Sequence, residues 1–177
     1  MLRLSNTLLN KPVMSLRTGG QVATAIEPII NPNNLKIEGF YCQDNFSKNK
    51  LVLLSQDIRD VLPQGFAVND HEVLSEPVEL IRLKETMEID FKLLGKPVAT
   101  VHKKRIGKVN DYAVEVETMF IQKLYVSQSI LKSLNNGQLS VDRNRIVEIT
   151  GRKIIIKDPL EPIKSGSRAP ATTPATS

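Results

Sequence analysis

The chain has 177 residues, a net charge of +5 and 41% hydrophobic residues, with five Phe, three Tyr and no Trp. This composition supports a core built mainly from Val, Ile and Leu, which favours strands over aromatic ligand-binding boxes. The one cysteine, Cys42, excludes an intrachain disulfide and a multi-cysteine zinc site, and we expect it to be a buried apolar group. Neither a signal peptide nor a membrane-spanning stretch is predicted, so we expect a soluble, cytoplasmic protein.

The strongest pattern is an internal repeat. Leu8 to Val13 reads LLNKPV, and Leu93 to Val98 reads LLGKPV. With one residue of slippage in the next turn, residues 22–25 match 106–109 and residues 35–37 match 119–121. After a loop of different length, residues 66–70 match 154–158. Solenoid units run about 20–50 residues, so this longer period predicts two small domains, which we call the first copy and the second copy. Each is near the lower size limit for independent folding, so we expect them to pack together.

The predicted elements follow the same order in both copies. Each copy opens with an apolar run containing Pro, then a polar turn at residues 17–20 or 102–105, and then a second strand, which is typical of a β-hairpin. Third strands are predicted at 35–42 and 119–126, followed by short strands at 51–54 and 139–141 and closing strands at 66–68 and 153–157. Five or six short strands in so few residues predict a small antiparallel β-barrel, so the predicted fold is mainly β with two tandem barrels.

The predicted boundaries place the first domain at residues 1–70, a connector at 71–90, the second domain at 91–158 and a tail at 159–177. In the connector, Ser75 and Pro77 are typical of a helix start. Leu80, Leu83 and Met87 then recur on one helical face, which predicts a helix of about three turns. The tail is rich in Pro, Ser, Thr and Ala and is predicted to be disordered.

Several segments resemble the PRC-barrel domain family. The resemblance is carried by LLNKPVMSL and LLGKPVATV, by the KKRIGKVND segment from Lys103, and by the closing DRNRIVEITGRKI segment from Asp142. It covers about residues 4–70 and 91–158. The first copy departs from the pattern at Asn10 and Ala23, where the second copy has Gly95 and Gly107. The resemblance implies β-barrels that dock onto protein or ribonucleoprotein partners and have no catalytic residues.

The residues themselves indicate no catalytic or cofactor chemistry. His71 and His102 are 31 positions apart with no ligand spacing around them, so no metal site is predicted. The phosphate-binding and nucleophile-elbow motifs are absent from the sequence. Glu115 and Glu117 share a strand face, which is more typical of a solvated surface than of acid–base catalysis. We therefore predict a protein that is not an enzyme and binds no cofactor.

The basic charge is concentrated in the second copy. Residues 1–92 contain ten Lys or Arg and twelve Asp or Glu, whereas residues 93–158 contain twelve and six, a change from −2 to +6. The candidate interaction patch consists of Lys103, Lys104, Arg105, Lys108, Arg143, Arg145, Arg152 and Lys153. Such a cluster suits phosphate contacts, but charge at hairpin tips also serves solubility and edge protection.

Two functions follow from these features. The leading hypothesis is an adaptor or assembly module whose basic second copy docks a protein partner. The alternative is an RNA-associated or ribosome-associated factor in ribosome maturation, which would bind the RNA backbone with salt-dependent affinity and little sequence selectivity. No aromatic residue interleaves the patch, which argues against stacking on single-stranded bases. The sequence leaves the partner and a homo-oligomer open.

Overall fold

The computed structural model describes residues 1–128 and 137–160 and is mainly β, as the sequence predicts. Of the tail predicted to be disordered at residues 159–177, residues 161–177 lie outside the described residues. The strands are β1 (Leu2–Leu4), β2 (Lys11–Ser15), β3 (Gln21–Asn31), β4 (Lys36–Asp44), β5 (Lys50–Leu54), β6 (Ile58–Leu62), β7 (Gly65–Val68), β8 (Leu74–Ser75), β9 (Pro97–Thr100), β10 (Arg105–Glu115), β11 (Phe120–Gln128), β12 (Gln138–Asp142), β13 (Ile146–Ile149) and β14 (Ile154–Ile156). The α-helix α1 covers Lys84–Ile89.

The two copies pair their strands in the same order. In the first copy β2, β3, β4 and β5 form an antiparallel meander, β7 runs parallel to β2, and β6 pairs with β7. In the second copy β9 to β12 form the same meander, β14 runs parallel to β9, and β13 pairs with β14. The register matches the sequence alignment: Val13 pairs with Phe66, and Val98 pairs with Ile154.

Even the irregularities of the sheet are repeated. The β3–β4 ladder shifts register between Ala25 and Glu27, and the β10–β11 ladder shifts between Val109 and Asp111. A bulge changes the direction in which the following side chains point, so its position is a specific feature of a strand. The slippage that the alignment requires in the first turn is also present, because residues 16–20 connect β2 to β3 whereas residues 101–104 connect β9 to β10.

The strand pairing does not show the two closed barrels that the sequence predicts. All fourteen strands belong to one mixed sheet, in the order β13-β14-β9-β10-β11-β4-β3-β2-β7-β6 with β1, β5, β8 and β12 branching off. The sheet continues from one copy into the other because Phe120 of β11 pairs with Lys36 of β4. Within the first copy β5 and β6 lie at opposite ends of the strand order, and β5 is covered by β8 instead.

The junction between the copies has approximate two-fold symmetry. The amide of Ile37 donates to the carbonyl of Met119 at 2.8 Å, and the amide of Ile121 donates to the carbonyl of Leu35 at 2.9 Å. Leu35 and Met119 are both buried, and both adopt the left-handed conformation, with φ of 51° and 58°. Equivalent positions therefore meet each other, as in the isologous interface of a homodimer.

The segment that precedes each copy crosses to the other copy. β1 pairs with β10 of the second copy, with Leu2 opposite Glu115 and Leu4 opposite Ala113. In the equivalent position before the second copy, α1 lies against β3 of the first. Buried side chains from both copies form one hydrophobic cluster, which confirms the expectation that they pack together. Cys42 belongs to this cluster, and its burial raises the pKa of the thiol to about 12.

The prediction of a three-turn connector helix beginning at Ser75 is wrong. Ser75 instead pairs with Val52 of β5, and the connector continues as two 3-10 turns, Pro77–Glu79 and Ile81–Leu83, before the six residues of α1. The break lies at Leu80, whose φ of −89° and ψ of 66° are outside the helical region. Glu76 is the true cap of the first turn, in a capping box with Glu79.

Candidate interaction surface of the second copy

The β9–β10 hairpin places a group of cations in solvent. The amide of Thr100 donates to the carbonyl of Lys104 at 2.9 Å, and the amide of Lys103 donates to the carbonyl of Thr100 at 2.9 Å. This tight turn holds Lys103 at φ 65°, where the first copy has Gly19 at φ 72°. We call the four exposed basic residues at the turn and in the adjoining strand the hairpin cations: Lys103, Lys104, Arg105 and Lys108.

Three of the hairpin cations, Lys104, Arg105 and Lys108, line a groove of about 820 Å³ at the end of the sheet. Its other walls are the ends of β10 to β12 and the chain that follows β14, including the apolar side chains Ile106, Leu139 and Leu160. Leu160 is 86% exposed, so the groove presents apolar surface beside its positive charge. We call this surface the basic groove.

The hairpin cations form no ion pair within the described part of the chain, although Asp158 lines the same groove. No carboxylate there lies within ion-pair distance of any of the four side chains. The first copy has neutral residues at the equivalent positions, with Gly20, Gln21 and Thr24 in place of the three cations that line the groove. Positive charge at this end is therefore a property of the second copy and not of the fold.

Arg143 and Arg145 of the predicted patch have partners inside the protein. Arg143 Nη1 donates to the carbonyl of Ile121 at 3.2 Å, its other terminal nitrogen donates to the carbonyl of Asn34 in the first copy, and its guanidinium lies 4.8 Å from the ring centre of Phe120. Arg145 Nη1 donates to the carbonyl of Asp158 at 3.2 Å. Arg143 thus links the two copies at their junction.

Arg152 and Lys153 lie at the β13–β14 turn, away from the hairpin. β14 runs parallel to β9, so Ile154 is level with Val98 and Ile156 is level with Thr100, next to the hairpin turn. Three residues of extended chain correspond to about 10 Å. The eight predicted residues therefore separate into the hairpin cations, two structural arginines and a distinct pair at the opposite end of β14.

The equivalent end of the first copy is occupied by polar contacts that the sequence analysis did not identify. His71 Nε2 lies 2.8 Å from Asp44 Oδ1, Ser47 donates its amide to Asp44 Oδ2 at 2.8 Å, and Arg17 forms an ion pair with Asp70. Burial alone would raise the pKa of Asp44, but the hydrogen bonds from Ser47 and His71 outweigh it and hold this pKa well below its usual range. No spacing in the sequence signals this cluster, because the loop after β4 brings its members together.

Comparison with known proteins identifies no relative of this chain: no protein-family model matches it, and a search of curated proteins gives no significant match. Within residues 1–128 and 137–160, no three His, Cys, Asp or Glu side chains are grouped so that they could hold a metal ion. In the same part of the chain, no helix is long and apolar enough to span a membrane.

Proposed function

We propose that the chain is a non-enzymatic, cytoplasmic docking protein, built from two PRC-barrel-like units and acting as an adaptor or assembly module. The repeated strand order and register support the two units, with β2 to β7 as one and β9 to β14 as the other. The junction at Lys36 and Phe120 holds the units together. At the positions that carry the hairpin cations in the second unit, the first unit has neutral residues.

The observation that carries the proposal is the basic groove. Lys104, Arg105 and Lys108 stand beside the exposed side chain of Leu160 and the half-buried Leu139, without carboxylate partners within ion-pair distance among the described residues. A charged rim next to an apolar surface is the usual anatomy of a protein-binding site. The complementary partner surface is acidic, and long-range attraction between the two would accelerate association more than it would raise affinity.

The test is capture of partners from the native lysate by the tagged protein, with and without nuclease. Lys104→Ala together with Arg105→Ala removes two hairpin cations, and Arg82→Ala together with Lys84→Ala is the matched control, since it removes one Arg and one Lys from the exposed connector. We expect a discrete protein that survives nuclease, is depleted by the groove variant and is retained by the control. Capture of no discrete protein, or equal capture by both variants, would contradict the proposal.

RNA binding at the same cations is the second candidate, because four basic side chains at one hairpin suit phosphate contacts. In that case the captured material would be RNA that nuclease removes. Changing Lys103, Lys104 and Arg105 to Ala would then weaken RNA binding and make its dependence on salt shallower. An unchanged RNA affinity in that triple variant would exclude the hairpin as the RNA site.

A further inference from the structure

Within the described part of the chain, the outer edge of β12 is open. Natural sheets shield such edges by short strands, bulges, charged residues or proline. Of the other edge strands, β1 and β8 have only three and two residues, while β6 and β13 each contain a bulge and charged side chains. β12 pairs with β11 through five residues without a register shift. Its one charged residue, Asp142, lies at the end of the strand and forms an ion pair with Lys123 of β11, while Gln138 to Val141 include neither charge nor proline. In the described part of the chain, no strand pairs with its other side.

The first copy shows what this edge can accept. β5, the counterpart of β12, pairs with β4 on one side and with β8 on the other, where Val52 lies opposite Ser75 and Leu53 lies opposite Leu74. Val52 is completely buried, whereas its counterpart Ser140 is exposed. The same position in the same fold is therefore covered in one copy and uncovered in the other.

The hydrogen-bond pattern identifies the free backbone groups of β12. The amide of Gln128 donates to the carbonyl of Gly137 at 2.7 Å, and bonded pairs in an antiparallel ladder recur at every second residue. Leu139 and Val141 therefore bond to β11, and Ser140 directs its N–H and C=O outward. The corresponding bond in the first copy joins the amide of Asp44 to the carbonyl of Asn49 at 2.9 Å, and it leaves Val52 facing β8.

We propose that an extended segment of a protein partner adds to β12 as an antiparallel strand opposite Ser140 and Val141, as β8 adds to β5. Strand addition of this kind derives its affinity from main-chain hydrogen bonds and its specificity from the flanking side chains. The inference rests on the proposed docking function and names its site.

The surroundings of β12 define the chemistry of the partner. A strand antiparallel to β12 passes Val141 and Ser140 and then reaches Leu139, which lines the basic groove together with Lys104 and Lys108. The partner segment therefore has an apolar and a small residue at the paired positions, followed by acidic residues that meet the hairpin cations. The chain contains such a segment itself, since Leu74 and Ser75 of β8 are followed by Glu76.

The probe is a fluorescently labelled peptide with the sequence of residues 72–79, EVLSEPVE, titrated with the full chain and followed by anisotropy. Ser140→Pro removes the outward N–H while leaving the bonds of β11 intact, and proline is tolerated on edge strands. Ser140→Val is the matched control, because it keeps the N–H and introduces the residue that the first copy has. We expect Ser140→Pro to weaken binding at least about tenfold, since an acceptor of the peptide loses its partner, and Ser140→Val to bind like the unmodified chain.

Hydrogen exchange at the Ser140 amide is a second readout that needs no variant. We expect the peptide to slow this exchange in the unmodified chain. The proposal would be overturned by equal binding to Ser140→Pro, by no change in peptide anisotropy at millimolar concentrations of the chain, or by a Ser140 amide that is protected without peptide. If Ser140→Pro still captured the nuclease-resistant lysate partner in full, the edge site would fail and the docking function would stand. The absence of any such partner would remove the docking function itself.

Discussion

Gly107 is a position at which the two copies differ in the side chain that they tolerate. A Cβ built there would lie 1.8 Å from the carbonyl oxygen of Ser127 on β11, whereas the first copy has Ala23 at the equivalent position, fully buried. To restore a contact of 3.0 Å, β10 and β11 would have to separate by about 1.2 Å. Such a shift stretches hydrogen bonds of about 2.9 Å beyond their useful length.

We therefore predict that Gly107→Ala destabilises the protein by about 2–5 kcal/mol. One or two ladder hydrogen bonds contribute about 1 kcal/mol each, and the strain of overpacking adds about 1–3 kcal/mol. For a chain of this length the melting temperature would fall by roughly 10 °C. The reverse change, Ala23→Gly, removes only one buried methyl group and adds backbone freedom, at a cost of about 1.5 kcal/mol.

The assay is thermal and urea unfolding of both variants beside the unmodified chain. The comparison is decisive because the two substitutions exchange the same pair of residues at equivalent positions. If Gly107→Ala lowered the free energy of unfolding by no more than Ala23→Gly does, the close approach of β10 to Ser127 would not be a real constraint.

Two further predictions concern side chains whose roles only the structure shows. Arg143→Ala should lower the free energy of unfolding by about 2–3 kcal/mol, since it leaves the carbonyls of Ile121 and Asn34 without their charged donor. Arg143→Lys should restore little of the lost stability, because one ammonium lacks the planar fork that reaches two carbonyls. Urea unfolding of both variants measures these changes. The depressed pKa of Asp44 means that its ionised form favours folding, so this contribution is complete above the unfolded pKa of about 3.9 and is lost as pH falls toward the lower folded value. Asp44→Asn should therefore reduce stability at pH 7 and flatten its decline in acid, and an unchanged acid limb in the unfolding midpoint against pH would contradict the assignment.

The strand register could be predicted from the sequence because both copies preserve apolar positions at fixed spacing. Aligning LLNKPV with LLGKPV brings the counterparts of the later strands into place once the slippage in the first turn and the different loop length are allowed, and the strand pairings agree with this alignment. The concentration of basic charge in the second copy could be predicted equally well, since it depends on composition alone. Periodicity cannot, however, give the connection of one copy to the other, which depends on the pairing of Lys36 with Phe120 and on the crossing of β1 to β10.

The connector and the patch show two other limits of sequence reasoning. The spacing correctly predicts that three connector residues, Leu80, Leu83 and Met87, are half-buried. The same apolar face can be made by an α-helix or by 3-10 turns, and the non-helical backbone at Leu80 breaks the continuous helix. Arg143 looked like a surface cation because its partners are backbone carbonyls, which carry no sequence signal. The sequence places four of the eight basic residues at one hairpin, but only the fold separates the other four from it.

The crossing of β1 onto β10 has a consequence for how the protein is made. Ser5, just after β1, hydrogen-bonds to Asp111 across a sequence separation of 106 residues. At a synthesis rate of about 5–20 residues per second, the first strand waits roughly 5–20 s before its neighbour has been translated. The first copy must therefore hold its own meander together on the ribosome while β1 remains unpaired, and β1 reaches its native position only after β10 has been translated.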